Sequence, residues 1–278
     1  MADQSRSDAA TLPRMYSREA LREQSFSDVW RQDLDKVFAD LAPRYDLAND
    51  IATLGMAPYL RRCFMRTIDL QPGQRVLDVC AGTNIIGITL LIREPTLDVH
   101  AMDRSSHMQD IGRQKAEKRG FKINSTIGDV TTLPYPDDYF DLVTLQFASR
   151  HLRVYEVFSE IFRVLKPGGR FHHSDMLRPT NPVIKRLYYT YLRACLGFTS
   201  ALVKSGQTAH KCKPYFIDAL DKFYSPEELS HILTEVGFET ISVSEVVFGT
   251  LGFHRGCKPK QKPLSNREAN KTADISHD

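Results

Sequence analysis

Three aspartates stand at the ends of short apolar runs: Asp78 in "RVLDVC" (75–80), Asp103 in "TLDVHAMD" (96–103) and Asp129 in "KINSTIGD" (122–129). A carboxylate in the middle of a buried strand is costly, whereas one at a strand tip is hydrated or holds a ligand. Between the first two lies the turn "CAGTN" (80–84), whose small residues let backbone approach a bound molecule closely. Such a turn needs a residue that tolerates positive φ. Gly82 is the usual choice, and Asn84 is the best substitute for glycine. The helix that follows offers free N–H groups to an anion or carboxylate. Asp103, 25 residues beyond Asp78, is placed to accept both hydroxyls of a ribose. The chemistry these residues suit is nucleoside binding.

For the acids to converge, their runs must be neighbouring strands that end at one edge. The sequence supplies the alternation this requires. Helices are expected over 87–94, 106–120 and 155–169, the last stopped by Pro-Gly-Gly, and strands over 140–147 and 170–176. A further helix over 225–238 opens on Ser-Pro-Glu-Glu and closes at Gly237, and "ETISVSEVVFG" begins the last strands. Strands alternating with helices predict an α/β fold with a doubly wound, mainly parallel sheet. Its ligand belongs beyond the C-terminal strand ends, near the switch in strand order.

With 278 residues, 42% hydrophobic and 26% charged, the chain has the composition of a soluble globular protein with a sizeable core. A net charge of +3 is too small for a dedicated nucleic-acid binder. The cysteines, Cys63, Cys80, Cys195, Cys212 and Cys257, show neither C-x-x-C nor metal-ligand spacing, so no metal is expected and the thiols read as reduced. The polar N-terminus has no apolar h-region, and no run approaches 18 uncharged apolar residues. A cytoplasmic location is expected. Residues 1–25 and 257–278 are polar enough to read as flexible tails around a domain spanning 26–256.

Taken in order, the D-x-x-x-G-T turn, the strand-end acid, "GDVTTLPYPDDYFD" (128–141) and "RVLKPGGR" (163–170) resemble class I S-adenosylmethionine-dependent methyltransferases. An intact G-x-G-x-x-G, which a dinucleotide dehydrogenase would carry, is not evident. Three further segments resemble the UbiE family of ubiquinone/menaquinone biosynthesis C-methyltransferases: "VFADLAPRYDLANDIATLG" (37–55), "QFASRH" (146–151) and "FGTLGFHRGCKP" (248–259). The resemblance spans roughly residues 35 to 260. It implies a seven-stranded Rossmann-like sheet, an N-terminal helical segment and a helical cap at about 180–224. It also implies S-adenosyl-L-methionine as cofactor. Carried over by position, Thr83, Asp103, Asp129, Val130 and Gln146 match cofactor contacts, with Asp78, Gly82 and Asn84 in the same loop. Arg150 falls on an arginine linked to ring deprotonation, His151 on its asparagine neighbour, and Asp175 on a glutamate. Departures from the family pattern fall at Ala81, Asn84, Ile85, Gln146, His151, His172 and His173.

The activity implied is transfer of a methyl group to a ring carbon of a prenylated quinol. The ring becomes nucleophilic when a hydroxyl loses its proton, so a base or a cation is required beside it. Arg150 suits stabilisation of a phenolate, or else a structural ion pair. His151, expected to titrate near neutrality, suits the base. Tyr45 and Asp46 either close over the cofactor or cap a helix. Adjacent His172 and His173 face opposite sides of a strand, so at most one reaches the site. Cys80 reads as a small buried filler. The segment 181–204, dense in Tyr, Leu and Phe with Lys and Arg between, is either an interfacial helix facing a membrane or the core helix of a cap. Expected partners are a lipophilic aromatic substrate, a peripheral contact with the inner membrane, and a homodimer or biosynthetic complex. Two other readings remain: a methyltransferase for another small aromatic metabolite, and a cofactor-binding protein without transfer activity.

Overall fold

The computed structural model describes residues 18–22, 42, 45–202 and 215–260. Helices α1 (Tyr45–Ala52) and α2 (Ala57–Arg66) lead into β1 (Arg75–Val79), α3 (Ile85–Arg93) and β2 (Asp98–Asp103). Then come α4 (Ser106–Glu117), β3 (Asn124–Ile127), β4 (Phe140–Gln146), a 3₁₀ turn (Ser149–His151), α5 (Val154–Val164) and β5 (Leu165–Met176). Helix α6 (Pro182–Leu202), helix α7 (Pro226–Val236), β6 (Glu239–Val246) and β7 (Leu251–Cys257) complete the described chain. The seven strands form one sheet in the order β3-β2-β1-β4-β5-β7-β6. From β3 to β5 the pairing is parallel, and β7 runs antiparallel between β5 and β6. Strand order reverses between β1 and β4. In register, Asp78 lies opposite Ala101 on one side and Thr144 on the other, so the acids end at a common edge beside the switch point.

Alternation along the strands divides the core between two faces. Leu77 and Val79 join one apolar cluster with α5 and α7, whereas Val76 joins the other with α2 and α3. In α5 the apolar positions Val154, Val157, Phe158, Ile161 and Val164 recur at helical spacing and all are fully buried. Burial stabilises each such side chain by roughly 1.5–3 kcal/mol.

Several boundaries differ from the sequence reading. Helix α3 begins at Ile85, two residues early, because Asn84 takes the left-handed conformation and starts it. Helix α5 stops at Val164, and Lys166–Gly169 run as extended strand. Proline disfavours helical backbone at the residue before it and cannot donate a helix hydrogen bond, so the stop falls ahead of Pro167. The boundaries of both tails also shift. Arg22 is 2% exposed within the short helical stretch 18–22, so the chain is already packed before residue 25. At the other end Cys257 pairs in β7, and Lys258 exchanges backbone hydrogen bonds with Gly168 and Gly169 at 2.8 and 2.9 Å. Of the cap expected at 180–224, α6 and residues 215–224 are described, and 203–214 lie outside the described residues, as does much of 37–44.

Candidate active site

The turn after β1 is built from alternating left-handed residues, Cys80, Gly82 and Asn84, with φ of 54°, 52° and 56°. This places the Gly82 amide toward β2, where it donates to Asp103 Oδ2 at 2.8 Å. Asp103 Oδ1 accepts the Ser105 amide, also at 2.8 Å. The acid at the tip of the second strand therefore ties the turn to the start of α4. Asp78 lies beneath the turn, 1% exposed, and accepts the Thr144 hydroxyl at 2.7 Å. Burial pushes its carboxyl up to about 7, against the pull of Thr144 and the Gly87 amide.

A cleft opens around this turn. Tyr45, Gly82, Asp103, Asp129, Val130, Gln146 and His151 line it. A second opening adjoins it along Asp78 and Thr83 and shares Tyr45, Gly82 and Gln146. Thr83 is 1% exposed and donates its hydroxyl to Asp46 Oδ1 at 2.9 Å, while Lys115 Nζ reaches Asp46 Oδ2 at 2.6 Å. Asp46 thus fastens α1 to both the turn and α4, and Tyr45 beside it faces the cleft. Asn84 departs from its expected place among the cofactor contacts. Its side chain is fully buried, accepts from Gln109 Nε2 at 2.9 Å, and lies so close to Gly112 that a Cβ there would come within 2.6 Å of Nδ2. Its contribution to the turn is the left-handed backbone.

The other wall of the cleft is the turn that follows β4. Arg150 donates from Nη1 to the Phe147 carbonyl at 2.9 Å and to Asp175 Oδ1 at 2.5 Å. Burial works against its charge, and the neighbouring Asp175 outweighs that, so its basicity is raised. Asp175, fully buried at the end of β5, also accepts the Met176 amide at 2.7 Å and the Ser149 hydroxyl at 2.6 Å. Ser149 in turn contacts His173 Nε2 at 2.7 Å. A carboxylate held by a guanidinium only accepts, so Ser149 donates to Asp175 and His173 donates to Ser149. His172, on the opposite side of the strand, meets the Thr67 hydroxyl at 3.3 Å, away from this network.

His151 lines the cleft, but not as a group titrating near neutrality. Burial first, then Arg150 and Arg22, hold its imidazole well below the usual histidine range. Its Nδ1 lies 2.7 Å from the Tyr215 hydroxyl, and its ring meets Phe216 edge-on. Sequence reasoning missed Ser149, Tyr215 and Arg22. Ser149 lies within the quoted segment 146–151 but Tyr215 and Arg22 lie in no motif, and each acquires its place from a long-range contact.

The residues present suit S-adenosylmethionine. An acid stands where a ribose can be held, and Val130 and Met108 line the cleft beside Asp129. At Gly82 a Cβ would meet nothing within 4 Å, so that side of the turn is open space. The fold and this cleft define a class I S-adenosylmethionine-dependent methyltransferase. The sheet superposes on a SAM-dependent methyltransferase of Thermotoga maritima with TM-score 0.56 at 19% identity, covering 80% of this chain and 99% of that one. It superposes equally on phosphoethanolamine N-methyltransferase 2 of Haemonchus contortus in complex with S-adenosyl-L-methionine. There the TM-score is 0.54 at 15% identity, covering 73% of this chain and 53% of that one, so this chain spans about half of its length. Residues 26–258 match the ubiE/COQ5 methyltransferase family, and the chain belongs to it. It is 32% identical over 227 residues to the demethylmenaquinone methyltransferase of Thermus thermophilus, covering 80% of this chain and all of that one. To the demethylmenaquinone methyltransferase of Deinococcus radiodurans it is 33% identical, covering 82% and 93%. The protein is an enzyme, and its cofactor is S-adenosyl-L-methionine.

Proposed function

We propose that the enzyme methylates a ring carbon of a prenylated quinol, the acceptor class to which its relatives' names point. The observation that carries this reading is the Arg150–Asp175 pair at the end of β4 and β5, next to the cleft lined by Gln146 and His151. When bound, S-adenosylmethionine supplies an electrophilic methyl group on a sulfonium. Asp78, Gly82, Asp103, Asp129, Val130, Gln146 and Tyr45 would hold it, with Thr83 fixing the turn through Asp46.

Arg150 is too basic to take a proton, so its role is to stabilise the negative charge on the deprotonated acceptor. It carries five N–H donors, and the bonds to Phe147 and Asp175 both leave from Nη1. His151 acts as a neutral imidazole held by Tyr215. Because it is a weak base, its contribution is a hydrogen bond to the acceptor oxygen. Membrane contact belongs to this reading as well. Val183 and Leu187 are 65% and 67% exposed on α6, beside Lys185, and suit a shallow seat in an anionic bilayer that holds a lipophilic acceptor.

Methyl transfer measured on demethylmenaquinol, demethylated ubiquinol and a short-chain phenol tests the assignment. The prenylated quinols should be turned over and the plain phenol poorly. On the best acceptor, Arg150→Lys should lower kcat by about 10²–10³ while leaving cofactor affinity intact. His151→Asn should keep much of the turnover, since the amide still donates. Near wild-type turnover in Arg150→Lys would move the acceptor site elsewhere.

A further inference from the structure

Residues 18–22 precede residue 26, where the family match begins, yet they reach the acceptor side of the site. Arg22 donates from Nη2 to the Leu152 carbonyl at 2.6 Å. Leu152 lines the cleft and caps the 3₁₀ turn that carries Arg150 and His151. Within the turn the backbone bonds are His151 to the Ala148 carbonyl at 2.9 Å and Leu152 to the Ser149 carbonyl at 3.0 Å, and Asp175 and Tyr215 hold the side chains of Ser149, Arg150 and His151. At Leu152 the chain turns extended, with φ −118° and ψ 158°, so its carbonyl leaves the turn and needs a donor from outside.

The arginine that supplies it is firmly seated. Its guanidinium lies 5.0 Å from the ring centroids of both Phe223 and Tyr224. Its Nε is 3.3 Å from the Glu19 carboxylate, which also accepts the Tyr224 hydroxyl. Arg18 meets Glu228 at 3.4 Å, and Glu228 holds Arg178 at 2.7 Å at the start of α7. A buried cation with compensated charge and a carbonyl acceptor is a specific brace, since an arginine used only for packing would keep its head in water.

We propose that Arg22 is a positioning residue for methyl transfer, fixing the carbonyl that ends the catalytic turn and so holding Arg150 and His151 at the cleft. The proposal rests on the reading of Arg150 and His151 as acceptor-side groups. It makes a segment outside the family match part of the working enzyme. The same charge, with that of Arg150, helps keep His151 neutral.

The test uses the full chain with Arg22→Met, which keeps the stem, and Arg22→Lys, which keeps the charge. Both are followed by kcat and KM on demethylmenaquinol and by calorimetric titration of S-adenosylmethionine. Arg22→Met should lower kcat about tenfold or more with cofactor affinity unchanged, as displacement of a catalytic group does. Arg22→Lys should recover part of the loss. Wild-type kcat in a folded Arg22→Met would overturn the proposal, and so would a parallel loss of cofactor affinity and kcat, which would mark simple loss of packing. Arg150→Lys measured alongside separates the two claims: normal turnover there sinks the acceptor-side reading itself. If demethylmenaquinol is not turned over at all, amide exchange of His151 and Leu152 decides. Protection should fall in Arg22→Met, and unchanged protection would overturn the brace.

Discussion

At Asn84 the backbone sits at φ 56°, ψ 25°, while the side chain is bonded to Gln109 and packed against Gly112. The need for a left-handed residue was legible in the turn, because asparagine is the commonest non-glycine answer to it. Its burial was not, since nothing local says that Gln109 and Gly112 will face it from α4. The two roles predict different mutants. Asn84→Val places a β-branched residue in left-handed backbone and should destabilise by about 1–3 kcal/mol, besides losing the Gln109 bond. Asn84→Gly keeps the backbone and gives up only the side-chain contact, so its cost should be smaller. Thermal unfolding of the two proteins ranks them, and equal losses would show that the backbone conformation contributes nothing. Gly82, Asp103, Asp129, Val130 and Gln146 line one cleft, and Arg150, next to His151 in its wall, is paired with Asp175.

Among the elements, α6 has the least ordinary burial. Tyr189 and Leu192 form a small cluster with Leu220, and α6 also packs against α1, while Val183 and Leu187 stay in solvent on its first turns. Periodicity alone left an interfacial helix and a core helix equally open, because a tyrosine-rich face serves either. The structure gives the helix a buried face at Tyr189 and Leu192 and leaves Val183 and Leu187 exposed. Among the described residues no helix is long and apolar enough to cross a membrane. Sedimentation with vesicles containing anionic lipid should pull down the enzyme. The double change Val183→Asp and Leu187→Asp should weaken binding by about 2 kcal/mol or more, from the apolar area withdrawn from lipid. Turnover of a short-chain acceptor should stay unchanged in that variant. Equal sedimentation of both proteins would remove α6 from the membrane.

At the scale of the whole molecule, four imidazoles are buried among the described residues, His151, His172, His173 and His254, and they bear on its response to acid. His172 is lowered to about 3 and His254 to about 4, chiefly by desolvation, and His151 and His173 lie well below the ordinary value. A histidine whose folded pKa is depressed gives stability that is fully present above its unfolded pKa, about 6.5, and is lost as pH falls toward the folded value. Asp78 works the other way: raised to about 7, it takes up a proton in the folded state first, so it favours folding as pH drops from 7 toward 4. Four histidines against one carboxyl leave a net loss, so the unfolding temperature should fall between pH 6.5 and 4. A stability profile flat over that range would mean that these imidazoles open to water without unfolding.

The alternation of apolar runs with helical periods, the acids at the run ends and the small-residue turn between them are local properties, and they determined the α/β architecture and the nucleoside side of the cleft. Hydrophobic patterning dictates which strands are buried, and parallel strands necessarily present their C-terminal ends together. Local signals also set most helix ends, and the correction at Val164 followed from the proline three residues on. The acceptor side was decided only by tertiary structure. Arg150 meets Asp175 across 25 residues, Ser149 meets His173 across 24, His151 meets Tyr215 across 64, and Arg22 meets Leu152 across 130. Polar contacts of that range leave no periodicity in the chain. Their energy comes from removing water around groups that the folded sheet has already brought together, and that exclusion exists only once the chain has closed over them.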